Sequence, residues 1–259
     1  MLSTMFLARA GTAATVAFAA AESVSAAVFT APGNGFGTVD MPPNPGVYTT
    51  PSGDMHIIDG LPAGTTVDID ASLHTFFYNA MSGLYTGPGA HVPGGSLGGD
   101  IDRSDGTLTM PMIGTGALLG YNRVLNLPVS FEIHGAPRGP AFSSPQSFDT
   151  IMSRFFGQIT SDPDFDLLRI TAGNDFGLPS PGHTTLTDIG GGMWNVDSFF
   201  DITYRIDFVG SPGGPFGGRS GSTTGEVRIV LGEPVPTPGV LPVMALAGAA
   251  AFGRSRRRA

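Results

Sequence analysis

The chain contains no cysteine and no lysine; its 13 basic residues are all arginines. Without cysteine there are no disulfides, thiolate metal ligands or cysteine nucleophiles. Charged residues amount to 13%, about half the share usual in a soluble domain. The formal charge is −8, and nothing supplies the cationic face that phosphate neutralisation requires, so nucleic-acid binding is excluded. Tryptophan occurs once, at Trp194. Glycine (39) and proline (22) are abundant and spread along the 259 residues, which excludes long helices and coiled coils.

The two ends read as addresses. Residues 1–27 carry Arg9, a small apolar run from Ala10 to Ala21, and small residues from Ser25 to Ala27, the pattern of a signal peptide. At the other end, residues 233–239 form a proline-rich spacer. An apolar run from Val240 to Gly253 follows, then Arg254, Arg256, Arg257 and Arg258. Fourteen helical residues reach about 21 Å at 1.5 Å per residue, short of the ~30 Å hydrocarbon core. Residues 240–259 therefore read as a short transmembrane helix that inserts only with bilayer thinning or with its arginines snorkelling to the headgroups. The alternative, a buried terminal helix of the domain, fits the glycines and arginines poorly.

This tripartite tail resembles the PEP-CTERM sorting signal of exported bacterial proteins. The matching residues are Pro236, Thr237, Pro238 and Gly239 for the proline motif, the apolar run, and the terminal arginines. Thr237 stands where the namesake motif has Glu. The resemblance covers about 25 residues and implies an exosortase-type sorting enzyme as partner. It further implies transient retention at the inner membrane and a final place at the cell surface or outside the cell. Setting aside Arg9, Glu22 and the four tail arginines leaves 8 Arg against 20 acids, a body charge near −12.

The body, residues 28–232, alternates apolar and polar residues with period two. Val67, Ile69, Ala71 and Leu73 share one face of 66–75; Leu125, Leu127, Val129, Phe131 and Ile133 share another; Ile202, Tyr204, Ile206 and Phe208 form the clearest strand. Val227, Ile229 and Leu231 close the domain, and further strands are expected at 106–112, 164–171 and 183–188. Pro128 falls on an outer face and argues for an edge or a bulge. Residues 147–160 fit helix or strand, with β-rich neighbours and Gly157 favouring strand. Short strands joined by Gly/Pro loops, with no βαβ rhythm, predict an all-β antiparallel β-sandwich, jelly-roll-like or a flattened barrel. Three pairs, Phe76-Phe77, Phe155-Phe156 and Phe199-Phe200, place one ring on each face of a strand; the second ring is expected beneath a long loop, or on a contact surface for a partner or polymer.

Chemistry-bearing residues are sparse. Asp162, Asp164 and Asp166 have the alternate spacing of calcium loops, and Asp100, Asp102 and Asp105 precede a turn-forming Gly106, so Ca²⁺ is the only cofactor with candidate ligands. Each run also reads as a solvated acidic turn. The five histidines lack zinc-binding spacing, and His74 and His134 fall on outer strand positions. Gly218-Arg219-Ser220-Gly221 departs from the G-x-S-x-G elbow at Ser222. Trp194, beside a run of three glycines, is a candidate platform for a sugar ring or a core residue. The expected function is that of a non-enzymatic structural or adhesive protein of the cell surface or extracellular matrix. The alternatives are a carbohydrate-binding module for matrix polysaccharide and, third, a secreted hydrolase.

Overall fold

A computed structural model describes residues 29–51, 54–77 and 91–232. The signal peptide, the spacer and the sorting helix, with Pro236, Thr237, Pro238, Gly239, Arg254, Arg256, Arg257 and Arg258, lie outside these residues. Among the described residues no helix is long and apolar enough to cross a membrane.

The body is all-β, as the alternation predicts. Five short strands come first: β1 Phe29–Pro32, β2 Val47–Thr49, β3 Met55–Ile57, β4 Val67–Ile69 and β5 Ser72–Phe77. After β6 (His91–Pro93) come the long ones: β7 Asp100–Gly114, β8 Asn122–Gly135, β9 Gln146–Thr160, β10 Phe165–Ala172, β11 Pro181–Gly190, β12 Met193–Gly210 and β13 Ser220–Gly232. Residues 147–160 are strand. Residues 66–75 divide at Asp70 and Ala71 into β4 and β5, and β5 then turns to pair with β2.

Pairing is antiparallel throughout, and it closes into a flattened barrel. β7 pairs β8, β8 pairs β9, and β9 reaches β12 through β11 at one end and β10 at the other. The circuit continues through β13, β2 and β5 back to β7. Closure leaves only the short strands β1, β3 and β6 paired on one side among the described residues. Pro128 sits where this geometry tolerates it: β8 pairs β9 only from Val129 onward, so the missing N–H costs no ladder bond there.

The closing seam is narrow. β2 joins β13 through three residue pairs and β5 through two. Beside it, β3 and the residues after it lie against β12 and β13 through side chains: the His56 N–H donates to Tyr204 Oη on β12, and the Ile58 and Asp59 N–H groups both donate to Thr223 Oγ1 on β13, each at 2.9 Å.

Inside, Ile57, Val67, Ile69, Met112, Leu127, Val196 and their neighbours form one continuous core. A void within it, between Tyr48, Leu108, Phe155, Ile202 and Tyr204, is about 30 Å³, the share of one water molecule. Three hydroxyls drawn into the core are paired in series: Tyr48 Oη with Ser198 Oγ (3.0 Å), and Ser198 Oγ with Thr184 Oγ1 (2.9 Å). Burial raises the Tyr48 phenol well above its ordinary pKa, so it stays neutral.

An arginine guards each end of the barrel. At the end where β7 begins, Arg138 makes ion pairs with Asp100 (2.9 Å) and Asp102 (3.3 Å), donates to the Val39 carbonyl (2.7 Å), and lies 4.8 Å over the Phe148 ring. At the opposite end, Arg123 binds Asp162 and Asp164, and Tyr121 Oη donates to Asp164 at 3.0 Å.

Candidate functional site

Strand parity decides what the outer wall carries. Leu108 on β7, Val129 and Phe131 on β8, and Phe155 on β9 point inward, so Asp105, Ser130 and Phe156 point outward. The registers align them: Phe77 pairs with Asp105, Asp105 with Ser130, and Ser130 with Phe156. The row spans four strands and sets the two aromatic residues three strand spacings apart, about 14 Å. With Pro128 and Gln158 they line a shallow groove of about 280 Å³. Phe77 is exposed. Phe156 stacks on Phe176 (centroids 6.4 Å, 28° between planes), and the Arg154 guanidinium lies 5.5 Å above Phe176. Apolar ring faces at both ends of a floor carrying the Ser130 hydroxyl, with Asp105 largely buried at 7% exposure beneath it, suit a ligand with alternating C–H and O–H surfaces.

No family model, curated protein or solved structure matches this chain. The groove is therefore read from its own chemistry. The second ring of each pair was expected under a long loop or on a contact surface. Phe77 is open, and Phe156 is capped by the 3-10 turn Asn174–Phe176 in the β10–β11 connection. Phe199 lies under the Arg228 guanidinium at 4.3 Å, and Arg228 is itself held by Asp201 at 2.7 Å. The row was discernible only as parity opposite to the core residues Phe76 and Phe155; which strands would be neighbours was not.

Further along the same wall lies a Ser–His–acid chain. Arg103 Nε donates to Glu132 at 2.5 Å, and the other Glu132 oxygen is 2.7 Å from His134 Nε2. His134 Nδ1 is 3.0 Å from the Ser96 N–H and 2.9 Å from Ser96 Oγ. A backbone N–H can only donate, so Nδ1 is the acceptor and the ring proton sits on Nε2, facing Glu132. The imidazole and carboxylate are largely enclosed, at 11% and 14% exposed. Burial alone would raise the Glu132 pKa, but the hydrogen bonds from Arg103 and His134 outweigh it and hold the carboxyl below its ordinary range.

Ser96 is the centre of Gly94-Gly95-Ser96-Leu97-Gly98, a G-x-S-x-G spacing that the sequence analysis did not single out. Its turn joins β6 to β7, two strands, whereas the nucleophile elbow joins a strand to a helix. The Nδ1 lone pair already receives the Ser96 N–H, so the chain fastens this glycine-rich turn to the barrel wall. A second such chain, Ser147 Oγ to His183 Nε2 (2.8 Å) and His183 Nδ1 to Asp149 (2.9 Å), lies on the exposed outer face of β9 and β11, with no enclosing walls.

The other predicted site residues fall elsewhere. Trp194 is buried at 3% and offers no face to a sugar; its indole fills the space beside Gly33, where a Cβ would stand 2.8 Å from Nε1. The two acidic runs are not calcium loops. Asp162 and Asp164 are taken by Arg123, whose hydrogen bond holds the Asp162 carboxyl below its ordinary pKa, and Asp166 accepts from Ser211 Oγ at 2.8 Å. Residues 100–106 are strand rather than turn, so Asp100 and Asp102 meet Arg138 while Asp105 points to the opposite side. Among the described residues, no group of three or more His, Asp or Glu side chains is arranged to hold a metal ion.

Proposed function

We propose that this chain is an exported adhesive module of the bacterial envelope. Its C-terminal tail delivers it through an exosortase-type enzyme to the cell surface or matrix, and its outer wall binds extracellular polysaccharide. The observation that carries the binding half is the Phe77–Asp105–Ser130–Phe156 row, two ring faces about 14 Å apart across a polar floor. The filled barrel interior favours the wall over an internal pocket, since a void of about 30 Å³ admits nothing larger than water. A polysaccharide is the ligand class that combines flat apolar ring faces with hydroxyls on one repeating, extended chain.

Affinity electrophoresis against neutral and acidic matrix polysaccharides tests the binding. Phe77→Ala and Phe156→Ala are each expected to weaken it about tenfold, which corresponds to ~1.4 kcal/mol. Absence of retardation by every polysaccharide, or retardation indifferent to both substitutions, would overturn it. Sorting is tested separately: deleting Pro236 to Ala259 should abolish membrane retention on cell fractionation, and unchanged localisation would remove that half of the proposal.

A further inference from the structure

We infer that the barrel end carrying Phe36 and Phe142 rests on the lipid surface of the membrane that receives the C-terminal apolar segment, with both rings seated among the headgroups. The inference builds on the sorting-tail half of the proposed function and adds an orientation and a contact surface to it.

Phe36 and Phe142 are 80% and 73% exposed, the conspicuous cost of two large apolar side chains held in water. They are not frayed tips. The Phe142 N–H donates to the Gly37 carbonyl at 3.0 Å, and a Cβ at Gly37 would stand 2.8 Å from the Phe142 ring, so the two loops are in contact. Gln146 Nε2 donates to the carbonyls of Gly37 (2.7 Å) and Ser143 (3.2 Å), while Thr38 Oγ1 donates to Gln146 Oε1 (2.8 Å). Asn34 Oδ1 accepts the Phe36 N–H at 2.8 Å. Phe142 itself sits at φ 65°, a left-handed conformation unfavourable for a bulky residue, which the surrounding bonds hold in place to present the ring outward. Exposed Ile189 adjoins them, since the Asp188 N–H donates to Ser144 Oγ at 2.9 Å.

The opposite end also exposes apolar residues, Leu119 at 86% together with Ile113 and Val124. The length of chain beyond the barrel distinguishes the two. Val230 pairs with Phe199, which puts Gly232 level with Asp197 on β12, four residues from the Met193 tip and about 13 Å from it. β13 runs toward that tip. From Gly232 to Val240 there are eight residues, which span about 25 Å as an extended proline-rich segment. The spacer therefore reaches past the Phe36/Phe142 end. The far end of β12, at Gly210, is thirteen residues from Asp197, about 43 Å along the strand and still ~33 Å along a barrel axis tilted by 40°. The spacer does not span that distance. An anchor at Val240 thus holds the Phe36/Phe142 end toward the bilayer. Exposed Asp40 and Asp188 on this end fit zwitterionic headgroups and disfavour anionic ones.

The test uses the full chain, reconstituted with zwitterionic phosphatidylcholine vesicles whose acyl chains carry bromine near the headgroup, a short-range quencher of tryptophan. Phe142→Trp, Phe36→Trp, Leu119→Trp and Ala251→Trp are compared, with the wild-type emission of Trp194 as baseline. The expected result is a blue shift and quenching at positions 36, 142 and 251, with no change at 119, and weaker quenching at 36 and 142 when anionic lipid is added. Quenching at 251 without quenching at 36 and 142 overturns the docking and leaves the tail reading intact. Quenching at 119 as strong as at 142 overturns the orientation. No quenching at 251 overturns the tail reading and this inference together.

Discussion

Gly221→Ala probes the contact between the 58–60 segment and β13, which flanks the closing seam. A Cβ at Gly221 would lie 1.8 Å from the Asp59 carbonyl oxygen and 2.9 Å from the Gly60 nitrogen, contacts with backbone that cannot swing aside. Gly221 is not among the residues with positive φ, so alanine is acceptable to its own backbone and the cost is steric. Relief requires the 58–60 segment to withdraw from β13. That breaks the two hydrogen bonds from Ile58 and Asp59 to Thr223 Oγ1. Two such bonds contribute about 0.5–1.5 kcal/mol each, and overpacking adds about 1–3, so a loss of roughly 2–6 kcal/mol is expected. Urea unfolding followed by the fluorescence of buried Trp194 reads it directly. With a slope of ~2–3 kcal/mol per molar, the midpoint falls by about 0.7–3 M. Gly213→Ala is the control, since a Cβ there meets nothing within 4 Å; it should stay within ~0.5 kcal/mol of wild type. A Gly221→Ala midpoint within about 0.2 M of wild type, on that same slope, refutes the close approach of residues 58–60 to β13.

Four further outcomes are expected. Arg138→Met keeps an apolar stem but removes the guanidinium that lies over Phe148 and between Asp100 and Asp102, and should cost about 3 kcal/mol in the same urea assay; a loss under ~1 would show the ion pairs to be dispensable. Because Asp162 has a folded pKa below its unfolded one, its stabilisation is present above about pH 4 and is lost as pH falls through the lowered value; the urea midpoint should drop from pH 5 to pH 2, and less steeply in Arg123→Met. Melting temperature should be the same in EDTA and in millimolar Ca²⁺, because Asp162 and Asp164 already share Arg123; a rise of several degrees with Ca²⁺ would contradict that pairing. A fluorophosphonate should leave Ser96 unlabelled, and His134→Ala should speed hydrogen exchange in the 94–99 turn; a covalent adduct on Ser96 would show that the Ser96–His134–Glu132 chain activates a nucleophile.

Much of the fold was legible because a strand half-buried in a barrel wall writes its burial into alternate residues. Ile202 to Phe208 and Leu125 to Ile133 could be assigned, with the correct inward face, from that period alone. Where the sequence misled, a polar run lay inside a strand. Asp100 to Gly106 looks like a turn because Asp, Ser and Gly favour turns, yet it pairs along its whole length with β8. The break between β4 and β5 was hidden for the opposite reason, since Ala71 continues the apolar alternation across it.

Sites depended on partners distant in the chain. The groove unites Phe77 with Phe156, 79 positions apart, through two intervening strands. The acidic runs lost their calcium reading to Arg123 and Arg138, cations that sequence spacing did not connect to them. Ser96 meets His134 only because β6, β7 and β8 stack in order.

By itself, the sequence determined that this protein is built of strands and that it lacks thiol chemistry; export and sorting are what its two ends led us to propose. These follow from composition and local period, which depend on neighbours along the chain. Tertiary structure decided that the strands close into a barrel, that Trp194 is core, that the acids are spent on arginines, and that the aromatic row faces outward. Those outcomes depend on strand register, and register is set by the packing of all the inward faces at once.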